Sequence, residues 1–172
     1  MYLLDTVLIS ELGRAKSARA DERLKNWVLS LSRQSLFISA LSLIELSHPA
    51  EPSDSKQKQA VLRQGQWVRE QVLPAFEGRI VAIDATIALK ATEFTTLTTR
   101  NALMAASASV HSLILVTRQP SVYKSSRIKL LNPLNFDLSG LNPEPMVSDS
   151  GDDWRLAAKS GPLWLKNLFL RL

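Results

Sequence analysis

The sequence predicts an α/β protein built on a central, mostly parallel sheet of four to five strands. Three observations carry that prediction. Short apolar runs recur along the chain and are continuous rather than alternating, the pattern of strands covered on both faces. Segments with apolar residues three and four positions apart lie between the runs and read as helices. Strands alternating with helices form βαβ units, in which the strands are parallel and the crossovers right-handed.

Taken in order, residues 2–4 form the first strand, which ends at Asp5, and a helix begins at Thr6. Residues 21–31 place Leu24, Trp27, Val28 and Leu31 along one helical face. Residues 36–39 are the second strand, and Glu45 stands at the start of a helix a few residues further on. Residues 57–73 repeat apolar positions at Val61, Val68 and Val72, with Gly65 weakening the helix by about 1 kcal/mol. Residues 79–83 are the third strand, and Asp84 N-caps a helix over 85–94. Residues 101–112 are rich in Ala and Ser, which suits a helix packed closely on a neighbour. Residues 113–117 give the fourth strand and 128–131 a fifth. The domain spans residues 1–136. Residues 137–160, opening with "DLSGLNPEPMVSDSGDDW", read as a flexible linker. Residues 161–172, "GPLWLKNLFLRL", read as an apolar tail that docks on its own domain, on a second subunit or on a membrane surface.

Composition narrows the chemistry. With no cysteine among 172 residues, disulfides, thiolate metal sites and cysteine nucleophiles are excluded. A net charge of +5 suits a polyanionic partner. No apolar run approaches the roughly 18 residues of a membrane span, and the amino terminus lacks the basic region of a signal peptide. A cytoplasmic protein without an integral membrane segment is expected. There is no Gly-rich phosphate loop, no G-x-S-x-G elbow and no H-E-x-x-H. His48 and His111 read as structural, and Trp27 and Trp67 as core residues.

The carboxylates are the informative residues. In an open parallel sheet, ligands bind beyond the carboxyl ends of the strands. Asp5 ends the first strand, so it is either a helix cap or a ligand of Mg²⁺ or Mn²⁺, ions that prefer carboxylate oxygens. Glu45, inside the apolar "SLIELS", needs a partner; an arginine and a metal ion are the two choices. Glu11 reads as a solvated helix residue. Arg100, Arg118, Lys124, Arg127 and Lys129 cluster in sequence around the same proposed cleft; if they converge they take up nucleic-acid phosphates, and otherwise they form a solvated face.

Over residues 1–136 the chain resembles a VapC-type PIN domain, the ribonuclease toxin of bacterial toxin–antitoxin pairs. "YLLDTVLISEL" matches the family's opening strand-Asp-helix motif, and "LFISALSLIELS" its strand followed by a helical Glu. "LPAFEGRIVAID" matches the approach to the third strand, "NALMAASASVHSLILVTRQ" the helix–strand core, and "KLLNP" the last strand. The resemblance implies a three-layer α/β/α fold and Mg²⁺- or Mn²⁺-dependent RNA cleavage restrained by a small antitoxin, with RNA and a second copy of the chain as further partners. It places Asp5 and Glu45 as catalytic metal ligands. The family's third acid falls on Asn101, and the residue after the fourth strand is Gln119 in place of Asp or Asn. Val7 and Val122 stand at two further positions often polar in the family. Asn101 is also the exchange an experimenter makes to silence a toxin, but Val7 and Val122 point to natural drift. Losing even an outer-shell partner typically costs 10–100-fold in metal affinity or activity, so the catalytic set Asp5, Glu45, Asn101 and Gln119 implies weakened or lost activity. The alternative is a non-catalytic PIN-fold module that binds an antitoxin, RNA or itself.

Overall fold

The computed structural model describes residues 1–13, 21–48 and 55–135. Its five strands are β1 (Tyr2–Leu4), β2 (Leu36–Ser39), β3 (Ile80–Val81), β4 (Ile114–Val116) and β5 (Leu130–Leu131), ordered β3-β2-β1-β4-β5. All the pairings are parallel, with Leu4 opposite Ile38 on one side and Val116 on the other. The sheet is therefore wholly rather than mostly parallel. Its edge strands are shorter than the apolar runs suggest: residues 79–83 yield only Ile80–Val81, and 128–131 only Leu130–Leu131. An edge strand keeps a ladder only where its single neighbour extends alongside it.

The period of two separates neighbouring side chains onto opposite faces. Leu4, Ile38 and Val116 join α1 (Thr6–Gly13), α2 (Glu22–Leu29) and α4 (Ser55–Trp67) in one core, which contains Trp27 and Trp67. Leu3, Val81 and Leu115 join α6 (Ala85–Thr92) and α7 (Thr99–Val110) in the other. This is the three-layer arrangement. The Ala-rich face of α7 buries Ala102, Ala105, Ala106 and Ala108, small residues that let the helix approach the sheet and α6 closely.

Local chemistry sets the helix ends. Asp21 caps α2 by accepting from the Arg23 amide, and Asp84 caps α6 by accepting from that of Ile87. Ser39 is both the last residue of β2 and the N-cap of α3 (Ala40–Ser47), so α3 follows the strand without a loop. Glu45 consequently lies in the second turn of α3 rather than at its start. α4 runs on through a π-helical turn, Val68–Val72, and a last single turn, α5 (Leu73–Ala75). Gly78, at φ +71°, makes the left-handed turn into β3 that a side chain would oppose.

Arg79 holds this edge of the sheet. Only 5% exposed, it donates to the carbonyls of Arg33 at 2.7 Å, Leu36 at 2.8 Å and Ala75, and lies 5.2 Å over the Phe76 ring. Burial, and then the nearby Arg33 charge, lower its pKa to about 10, so the guanidinium remains charged at neutral pH. Among the described residues, no helix is long and apolar enough to cross a membrane. The proposed linker, 137–160, and tail, 161–172, lie outside the described residues.

Candidate functional site

β1 is the centre of the sheet, and the chain leaves it toward β2 on one side and β4 on the other. Such a reversal opens a crevice beyond the strand ends. Asp5 enters it directly from β1. Its amide donates to the Val116 carbonyl at 3.0 Å, extending the ladder, and its carbonyl accepts from Leu8 and Ile9 as the first acceptor of α1. The backbone thus starts the helix while the carboxylate is turned elsewhere. Oδ2 accepts from Thr117 Oγ1 at 2.9 Å and Oδ1 from Arg100 Nη2 at 2.9 Å.

Arg100, in the first turn of α7, gathers the site. Its Nε and Nη2 grip Glu45 side-on, at 2.5 Å to Oε1 and 3.0 Å to Oε2. Its Nη1 donates to Asn101 Oδ1 at 2.9 Å. The sequence-predicted residues Asp5, Glu45 and Asn101 therefore meet, through a cation supplied by the chain itself. Arg100, read from the sequence as either taking up RNA phosphates or lying on a solvated face, has its guanidinium ion-paired with both acids. Of the two partners open to Glu45, the structure provides the arginine.

Hydroxyl groups complete the cluster. Thr6 Oγ1 donates to Glu45 Oε2 and shares a 3.0 Å hydrogen bond with Ser42 Oγ. Tyr123 donates to Asn101 Oδ1 at 3.2 Å. Burial, reinforced by the Asp5 charge, pushes the Tyr123 hydroxyl up to about 12, so it stays a neutral donor. Burial opposes the charge on Arg100, but hydrogen bonds and charges from Glu45 and Asp5 outweigh it and hold the guanidinium above its ordinary range. Sequence reasoning missed Thr6, Ser42, Thr117 and Tyr123. The only signal was position, since Thr6 and Thr117 directly follow Asp5 and β4.

The remaining predicted residues stand apart from the acids. Gln119 is exposed, and its amide donates to Thr117 Oγ1 at 3.2 Å. Arg118 pairs with Glu11 and lies 3.9 Å from Asp21, so Glu11 is an ion-pair partner rather than a freely solvated residue. Lys124, Arg127 and Lys129 are exposed. Val7 and Val122, at 50% and 38% exposure, bring neither charge nor ligand atoms to the rim.

These residues do not fit a divalent ion as they are arranged. Mg²⁺ requires near-octahedral oxygen ligands. Here both oxygens of Asp5, both of Glu45 and the amide oxygen of Asn101 already accept hydrogen bonds. Arg100 donates to all of them except Asp5 Oδ2, which Thr117 serves. Among the described residues, no group of three or more acidic or histidine side chains is placed to hold a metal.

Two known proteins are similar to this chain over most of its length. Toxin FitB of Neisseria gonorrhoeae is 28% identical over 141 residues, covering 77% of this chain and 98% of the relative. A VapC ribonuclease of Sinorhizobium fredii is 25% identical over 141 residues, covering 77% and 97%. The chain is thus similar to toxins of the VapC and FitB type. The crystal structure of FitAcB from Neisseria gonorrhoeae superposes with a TM-score of 0.66 at 26% identity, over 79% of this chain and all of that one. No family model matches the chain.

Proposed function

We propose that this protein is the toxin of a VapC/FitB-type toxin–antitoxin pair, with ribonuclease activity weakened or lost and a small antitoxin as its partner. The single observation that carries the reading is the alignment with two toxins over nearly their whole length. The convergence of Asp5, Glu45 and Asn101 at the carboxyl ends of β1 and β4 supports it. On this reading Asp5 and Glu45 keep the family's acids, and Asn101 occupies its third acidic position without a charge. RNA is the proposed substrate, a second copy of the chain a proposed partner, and Mg²⁺ or Mn²⁺ the proposed cofactor of any activity that survives. Asn101 supports the weakening: its amide accepts hydrogen bonds as a carboxylate does, yet neither adds negative charge nor takes a proton.

The test is RNA cleavage in Mg²⁺ or Mn²⁺ by wild type, Asp5→Ala and Asn101→Asp, alongside copurification with a co-expressed antitoxin. Slow or absent cleavage by wild type, raised by Asn101→Asp, is expected. Rapid cleavage by wild type that Asp5→Ala abolishes refutes the weakening. A non-catalytic binding module is the second reading, favoured by the ion pairs that occupy both acids. Stable copurification, with no cleavage even by Asn101→Asp, supports it.

A further inference from the structure

We infer that Arg100 is a tethered competitor of divalent cations: its guanidinium sits on the Asp5–Glu45 pair in place of an ion and excludes one. This role rests on the reading of the cluster as the site of a toxin homologue, and it adds what controls cation access there.

The guanidinium places four of its five N–H groups on the site. Nη2 reaches Asp5 at 2.9 Å and Glu45 at 3.0 Å, Nε reaches Glu45 at 2.5 Å, and Nη1 reaches Asn101 at 2.9 Å. All three nitrogens are spent on the site. An incoming ion needs the same Asp5 and Glu45 oxygens, so the two occupants are mutually exclusive. Two carboxylates against one guanidinium leave the cluster at −2 + 1 = −1; without Arg100 it stands at −2.

The place of Arg100 on its helix points the same way. It lies in the first turn of α7, where the helix dipole disfavours a cation by about 0.3–1 kcal/mol. Helix stability does not explain an arginine there, whereas the carboxylates facing that helix end do. Asp5 is nearly buried, with 8% of its side chain exposed, and requires a counter-charge on the spot.

Tethering gives the arginine an advantage over a free ion. Even a flexible tether supplies an effective concentration on the order of millimolar. Arg100 is anchored only one residue from Asn101 and grips Glu45 side-on, a geometry that an ammonium cannot copy. A free ion must displace this resident before it binds.

The experiment measures Mn²⁺ binding alone, by calorimetry and by the paramagnetic signal of free Mn²⁺, on the full chain. Arg100→Gln is expected to bind Mn²⁺ about tenfold or more tightly than wild type, and addition of Asp5→Asn is expected to abolish the gain. Equal Mn²⁺ affinity in wild type and Arg100→Gln, whether both bind or neither does, overturns the inference. Should Arg100→Gln fail to fold, Arg100→Lys serves. Its single ammonium cannot hold three partners, so it is expected to show a smaller gain, and no gain overturns the inference equally. A gain in Mn²⁺ affinity without toxin behaviour leaves the competitor role intact and refutes only the functional reading.

Discussion

Replacing Gly13 by alanine sets two effects of opposite sign against each other. Gly13 ends α1, the helix that begins beside Asp5. Alanine is the better helix former by about 1 kcal/mol, so propensity alone makes Gly13→Ala stabilising. The structure reverses that sign. A Cβ at position 13 would lie 2.7 and 2.9 Å from two atoms of the Trp67 ring and closer still to a third. Trp67 is only 3% exposed and packed within the larger core, so the ring has nowhere to swing. Overpacking of this kind costs about 1–3 kcal/mol, and three contacts under 3.0 Å place this case at the upper end. The net loss is about 2 kcal/mol, or roughly 4–8 °C in Tm for a chain of this size. Thermal unfolding followed by circular dichroism measures it. In a Trp67→Leu background the ring atoms are gone, and the penalty of Gly13→Ala should vanish or change sign, a coupling a double-mutant cycle isolates. An unchanged or raised Tm for Gly13→Ala in the wild-type background refutes the argument.

Two further outcomes are expected. Tyr123 has its hydroxyl pushed up to about 12 by burial, so the folded state holds that proton while the unfolded chain loses it near pH 10. The associated stability is complete below pH 10 and drains between pH 10 and 12, by about 3 kcal/mol; the difference between wild type and Tyr123→Phe in denaturant unfolding across that window should show it, and identical pH profiles contradict it. Arg79→Met keeps most of the side chain's bulk but leaves the carbonyls of Arg33, Leu36 and Ala75 without their charged donor. A loss of about 2–4 kcal/mol in urea unfolding is expected, and a loss under about 0.5 kcal/mol rules out that role.

Much of the fold was legible because parallel strands covered on both faces leave a simple trace. "YLL" reads as a buried strand, and Leu3 and Leu4 indeed enter different cores. Strand length was less legible at the edges, since pairing at β3 and β5 depends on a single neighbour far away in sequence. Asp5 and Glu45 could be singled out because a carboxylate inside an apolar run needs a reason to be there. The identity of Glu45's partner could not: Arg100 is 55 positions distant, and its charge alone fits a phosphate as well as a carboxylate. The hydroxyls of Thr6, Ser42 and Tyr123 were invisible for a related reason, because such residues acquire a role only when the fold aims them.

The central place of β1 has a consequence for how the protein is made. β1, made before the other four strands of the sheet, is flanked by β2 and β4, and the Asp5 side chain is secured by Thr117, 112 positions later. At 5–20 residues per second, translation leaves roughly 6 to 22 seconds before that anchor exists. Between the synthesis of Glu45 and that of Arg100 the two carboxylates have no counter-charge, and β1 lacks its β4 neighbour until that strand is made. A chain that terminates between Glu45 and Arg100 keeps both conditions permanently.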